Sequence, residues 1–267
     1  MKSADEYGAI LSSAVPVIRH AGNLIQRSFS HHSRIGDMSE LMAGIHANDT
    51  ASTRLLREPL SVLRPQAGWV EDEEDEGALP EGEWWVVDPV EGNVNHIHGM
   101  MEWGITAALV RNNEAVLAIV HLPLIDQTYT AVRGHGAFLN GMPIRVSAKS
   151  DLRAGLVGTG QGKPHESPHI LRQIGRSVTA MLEAALVVRV LVPATLTLIH
   201  VAAGRMDAFW QYGQVRAGLL AGALLIEEAG GVISDTQGKR WTLHSKDFLA
   251  AAPGVQAAAV QALSPLA

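Results

Sequence analysis

The sequence contains no cysteine. Disulfides, thiolate metal sites and a cysteine nucleophile are therefore excluded, and any metal has to sit on carboxylates, carbonyls or imidazoles. An excess of positive charge is lacking as well. The formal net charge is −6, which argues against a broad attraction to nucleic acid or to an anionic membrane surface and leaves a small molecule or a protein as the expected partner. No run of about 20 uninterrupted apolar residues occurs, so no membrane-spanning helix is expected. The N-terminus also lacks the basic start, continuous apolar stretch and small-residue cleavage site of a secretory signal. A cytoplasmic protein is the expectation. Internal repeats and low-complexity tracts are absent too.

What is present is a chain of 267 residues, 47% of them hydrophobic, which is enough to bury a large core. Tyr7, Ile10, Leu11, Ala14, Val17, Ile18, Ala21, Leu24 and Ile25 recur at helical spacing and predict an amphipathic first helix. Residues 30–47 are polar and rich in His, Gly and Ser, and read as a loop before a second helix over about 50–63 that Asp49 would cap. A short strand near 68–70 runs into the acidic stretch 71–76. The next strand, 83–87, delivers Asp88-Pro89, where proline should end the ladder.

Strands follow at 105–111, 115–121 and 127–132, with Asn112-Asn113 as a tight turn, and Arg133 to Gly141 is a glycine-punctuated hairpin. Past residue 151 strands and helices are separated by a polar stretch, 160–167. The expectation is one domain over 1–267 with subdomains of about 1–150 and 151–267. Helices are expected at 194–203, stopped by Gly204, and at 217–229, stopped by Gly230-Gly231. The second is apolar on all sides and should be buried.

The run Asp88-Pro89-Val90-Glu91-Gly92-Asn93-Val94-Asn95-His96-Ile97-His98-Gly99 resembles the Asp-Pro-(Ile/Leu)-Asp-Gly-Thr-Thr-Asn-Phe-x-His-Gly signature of the inositol monophosphatase family. TYTAVRGHGAFLNGMPIRVS resembles the family's strand, glycine hairpin and strand, and VAAGRMDAFW with AGALLIEEAGG resembles its C-terminal helix and turn. The resemblance covers nearly the whole chain in order. It implies an α/β fold, a layered α-β-α-β-α sandwich of the sugar-phosphatase type, a homodimer, and a carboxylate-lined pocket. In that family the carboxylates hold two or three Mg²⁺ ions, hard cations that neutralise a phosphate and lower the pKa of a nucleophilic water.

Carried over residue by residue, the resemblance makes Asp88 and Glu91 metal ligands, together with Asp72 or Glu73 from the acidic run, between which the register is ambiguous by one. Asp49 matches the aspartate that orients the attacking water with a signature threonine. Five departures fall on this one pocket. Glu91 is one methylene longer than the family's aspartate. Val94 stands where the water-activating threonine is expected. Ala217-Gly218 replaces a Trp-Asp pair that supplies a metal ligand, Gln211 replaces a glutamate that holds a substrate hydroxyl, and Val192-Pro193-Ala194 replaces a Gly-Ser/Thr-Ala stretch.

His96 and His46 stand where the family has an aromatic residue and a threonine, which brings two imidazoles to the neighbourhood of the site as candidate acids or bases. The candidate catalytic residues are thus Asp49, Glu91, His96 and His46, and the candidate substrate contacts are Asn93, Asn95, Gln211, Tyr212 and Arg216. His98 is common in the family, and His31 and His32 read as solvated. Because the scaffold glycines are intact while the pocket is altered, the expected function is acid–base chemistry on a small polar metabolite (isomerisation, dehydration or cyclisation) without a full Mg²⁺ cluster. An Mg²⁺-dependent phosphomonoesterase acting on an inositol, sugar or nucleotide phosphate, and a non-catalytic binding or regulatory protein, are the two alternatives.

Overall fold

Two long helices open the chain in a computed structural model that describes residues 2–32, 34–71, 77–162, 166–213 and 217–266. Helix α1 (Lys2–Ile25) buries Tyr7, Ile10, Ala14, Ile18, Ala21 and Ile25, the stripe that the spacing predicts. Helix α2 (Met38–Leu63) begins well before residue 50. Asp37 caps it by accepting the Glu40 N–H at 2.9 Å, so Asp49 lies in the helix interior and is no cap. Residues 38–49 mix Met38, Leu41, Met42 and Ile45 with polar side chains, and the inner side of the helix needs little bulk: an added Cβ at Gly44 would lie 3.1 Å from Ile97.

The first sheet orders its seven strands β1 to β7 as they occur in sequence. They are β1 (Gly68–Trp69), β2 (Glu83–Glu91), β3 (Gly104–Arg111), β4 (Glu114–Leu122), β5 (Gln127–Val132), β6 (Ala137–Leu139) and β7 (Met142–Pro143). Only β1 pairs in parallel; the rest is an antiparallel meander. Asn112 and Asn113, with φ of 51° and 67°, make the two-residue turn whose twist matches the flanking strands. Strand β2 does not stop before Asp88-Pro89. It runs on to Glu91 through a register shift between Asp88 and Glu91, and a bulge is where a residue without an N–H is tolerated.

The second sheet has the order β11-β12-β10-β8-β9, built from β8 (Leu156–Thr159), β9 (Val187–Val190), β10 (Ala208–Tyr212), β11 (Val232–Ser234) and β12 (Asp247–Ala251). A short helix α3 (Asn93–Ile97) follows β2, and α4 (Pro168–Ala184), α5 (Ala194–Ala202), α6 (Ala217–Glu228) and α7 (Pro253–Leu263) complete the chain. Three apolar clusters define the layers. One joins α1 and α2 to the outer face of the first sheet. A second places α5 and α6 between the sheets, and a third packs α4 and α7 on the far face of the second sheet. The architecture is the expected α-β-α-β-α sandwich. Helix α6 buries Leu219, Leu220, Ala221, Ala223, Leu224, Leu225 and Ile226, as a helix enclosed between two sheets must. Among the described residues, no helix is long and apolar enough to cross a membrane.

The two central helices meet at Gly222, where an added Cβ would lie 2.5 Å from the Leu198 side chain. Gly222→Val should therefore cost about 1–3 kcal/mol through overpacking, despite valine's better helix propensity. Urea unfolding measures this, and an unchanged midpoint would show that α5 and α6 can part freely.

Candidate functional site

The site forms where β2 leaves the first sheet. Gly92 takes φ 85°, and a Cβ there would lie 2.7 Å from the Glu102 carbonyl and 3.0 Å from Pro193, so only glycine fits. The turn starts α3, which packs on α2. Across that helix contact runs a row of polar side chains. Asn93 Nδ2 donates to Asp49 Oδ1 at 2.7 Å, Asn48 Nδ2 donates to Asn93 Oδ1 at 2.8 Å, and Asn48 Nδ2 also lies 3.0 Å from His96 Nδ1. The expected partner of Asp49 was position 94. Val94 is instead 45% exposed, and the group against the carboxylate is the amide one residue earlier.

Asp49 lines a cleft of about 250 Å³ with Thr53, Trp69, Val70, Glu71, Val87 and Pro89. Burial raises its pKa above the ordinary aspartate value, while the His46 charge and the Asn93 hydrogen bond act in the opposite sense. Glu71 is held by Arg57, Nη1 to Oε2 at 2.8 Å, and the Arg57 guanidinium sits 5.8 Å from the Trp69 ring centroid. Asp88 Oδ1 accepts the Val90 N–H at 3.0 Å. Glu91 is 5% exposed and accepts the Thr195 hydroxyl at 2.9 Å.

The two imidazoles part company. His46 is exposed and reaches Asp49 through its charge. His96 is only 4% exposed, edge-on to Trp103 at 4.7 Å and to Phe29 at 5.5 Å, and burial lowers its pKa. A neutral ring accepting from Asn48 at Nδ1 carries its proton on Nε2, a tautomer assigned from the hydrogen bond. His96 thus backs the row of amides and does not face the cleft, because the position expected to be aromatic is still used as one.

Among the proposed substrate contacts, Asn95 is buried and spends its amide protons on the carbonyls of Glu102 and Val192, at 2.8 and 2.9 Å. Gln211 and Tyr212 are neighbours on β10, and strand alternation sends them to opposite faces. Gln211 Oε1 is buried without a hydrogen-bond partner among the described residues, against the spot where a Cβ on Gly160 would be. Tyr212 packs in the core under α4 and α7, and burial pushes its pKa up to about 12, so it is a core phenol. Asp72, Glu73 and Arg216 lie outside the described residues. Asn48 and Thr195 were not foreseen. Asn48 adjoins Asp49 in sequence, but nothing in the sequence points to Thr195.

Among the described residues, no three carboxylates or imidazoles gather as a metal-binding group. Among the described residues, β2 offers Asp88 and Glu91 as donors, and Gly218 adds no side chain. Such a set suits one Mg²⁺, which keeps several waters and binds through one or two carboxylates plus a substrate phosphate.

Comparison with known proteins agrees with this architecture. The model of the inositol monophosphatase family matches residues 7–265. An inositol-1-monophosphatase of Rhizobium meliloti is 34% identical over 244 residues, covering 86% of each chain, and the Nus factor SuhB of Pseudomonas aeruginosa is 31% identical over 249 residues, covering 90% of each. The crystal structure of the suhB protein from Bartonella henselae superposes with a TM-score of 0.79 at 25% identity, covering 96% of this chain and 99% of that one.

A carboxyl whose pKa is raised on folding stabilises the fold most below its unfolded value, 3.8 for Asp49, and that contribution is lost as pH rises through the folded value. The unfolding free energy of the wild type minus that of Asp49→Asn should therefore fall as pH climbs above about 4 and then level off. Urea titrations across that range measure it, and a difference that rises with pH would mean that the Asn93 hydrogen bond outweighs burial.

Proposed function

Since this chain belongs to the inositol monophosphatase family, we propose that it hydrolyses a small phosphomonoester, an inositol, sugar or nucleotide phosphate, with Asp49 as the base and one Mg²⁺ held by Asp88 and Glu91. The observation that carries this reading is Asp49 itself, a carboxylate at a cleft wall with one oxygen fixed by Asn93 at 2.7 Å and its pKa raised by burial. A raised pKa makes it a better proton acceptor. When bound, Mg²⁺ neutralises phosphate charge and acidifies a coordinated water.

The chain's own residues divide the remaining work. Asn93 holds the Asp49 carboxylate in place, and with its amide protons directed at Asp49 and the Ile45 carbonyl it passes no proton between water and base as a hydroxyl can. Asp49 has to take the proton of water directly. Trp69, Val70, Val87 and Pro89 wall the cleft against bulk water, while Arg57 keeps Glu71 paired. With one ion, and with an amide rather than a hydroxyl bonded to Asp49, turnover is expected to be slow. The same family membership supports a homodimer, which light scattering tests.

A second reading keeps Asp49 as base but assigns it to isomerisation, dehydration or cyclisation of a small polar metabolite. Two substitutions favour it: the amide of Asn93 where a hydroxyl is expected, and the missing carboxylate at Gly218. His96 no longer supports it.

Phosphate release from a panel of inositol, sugar and nucleotide monophosphates separates the two. Mg²⁺-dependent release is expected, and Asp49→Asn and Asp88→Asn should each lower kcat/KM by about 10²-fold or more. Complete absence of release would sink the hydrolase and leave the second reading standing.

A further inference from the structure

Helix α5 enters the site with an unassigned hydroxyl. Thr195 is fully buried, and its Oγ1 lies 2.9 Å from Glu91 Oε2 and 2.8 Å from the Gly218 carbonyl. One hydroxyl, its single proton shared between two acceptors, therefore sits between the end of β2 and the first turn of α6. The surrounding segment is tied to the same turn twice more: Asn95 donates to the Val192 carbonyl at 2.9 Å, and Pro193 crowds the space beside Gly92. Burying a carboxylate is costly unless donors meet it, and Thr195 supplies one from a helix that cannot shift without disturbing the central layer.

We propose that Thr195 is a positioning residue for Glu91, and that Glu91, Thr195 and the Gly218 backbone form one interdependent unit. The Glu91 oxygen is one hydroxyl away from the Gly218 backbone. The hydroxyl holds the Glu91 carboxylate beside the start of α6.

Because Glu91 as an ion ligand rests on the hydrolase reading, the test has two readouts. Calorimetry with Mg²⁺ in the presence of inorganic phosphate is run on the wild type, Thr195→Val, Thr195→Ser, Glu91→Met and Glu91→Met/Thr195→Val. Thr195→Val keeps the shape and removes the hydroxyl, so it should weaken Mg²⁺ binding about tenfold. Thr195→Ser should stay within about threefold of wild type, and Thr195→Val should add no loss to Glu91→Met. Urea unfolding of the same variants reads the pair without any ion. Thr195→Val should lower the folding equilibrium constant about tenfold in the wild type and less than about threefold in Glu91→Met.

Equal weakening by valine and serine, unaltered Mg²⁺ binding in Thr195→Val, or additive losses would each overturn the proposal. If the wild type binds no Mg²⁺ with phosphate, the hydrolase reading fails on that result, and the unfolding cycle still decides Thr195: non-additive losses support the unit, and additive losses overturn it.

Discussion

Strand β2 has to leave the first sheet and start a helix at once, and the crowded turn at Gly92 is what allows it. The positive φ at Gly92 and the absence of a Cβ let the backbone pass beside the Glu102 carbonyl and Pro193. From that point the register shift between Asp88 and Glu91 sets both carboxylates, and α3 presents Asn93 to Asp49 and Asn95 to the chain before α5. A side chain at position 92 would run into the Glu102 carbonyl before β3 and Pro193 before α5 at once.

Around this turn each acidic group is met by a different kind of donor. Asp49 has a side-chain amide, Asp88 a backbone N–H two residues on, Glu91 a buried hydroxyl and Glu71 a guanidinium. That distribution matters because acidic groups gathered without donors or cations repel one another and take up protons. It also separates their roles. The guanidinium neutralises Glu71, whereas the single amide on Asp49 orients the group without holding its pKa down.

The layered fold was largely legible in the sequence because it follows from periodicity and turn chemistry. The stripe of α1, the Asn112-Asn113 turn, the meander, and the apolar α6 closed by Gly230 are local patterns with local causes. Two boundaries were not legible. Helix α2 starts at Met38 because Asp37 caps it, although its first turns are largely exposed, and β2 passes through Pro89 because a bulge excuses the missing N–H. The candidate site was legible in its carboxylates and less so in their partners. Asn93, rather than Val94, meets Asp49 because of how a five-residue helix is rotated against α2.

What the sequence by itself determined is the order of elements, the family likeness and the identity of the acidic residues, since these depend on residue type and short-range spacing. Only the tertiary structure decided which side chains share a space. Strand alternation sent Tyr212 to the core and Gln211 to the opposite face, an aromatic cluster took in His96, and the meeting of β2, α5 and α6 gave Glu91 its hydroxyl from Thr195. These contacts join residues as much as 104 positions apart. No local rule reaches that far, because the direction of a buried side chain is set by whatever packs against it.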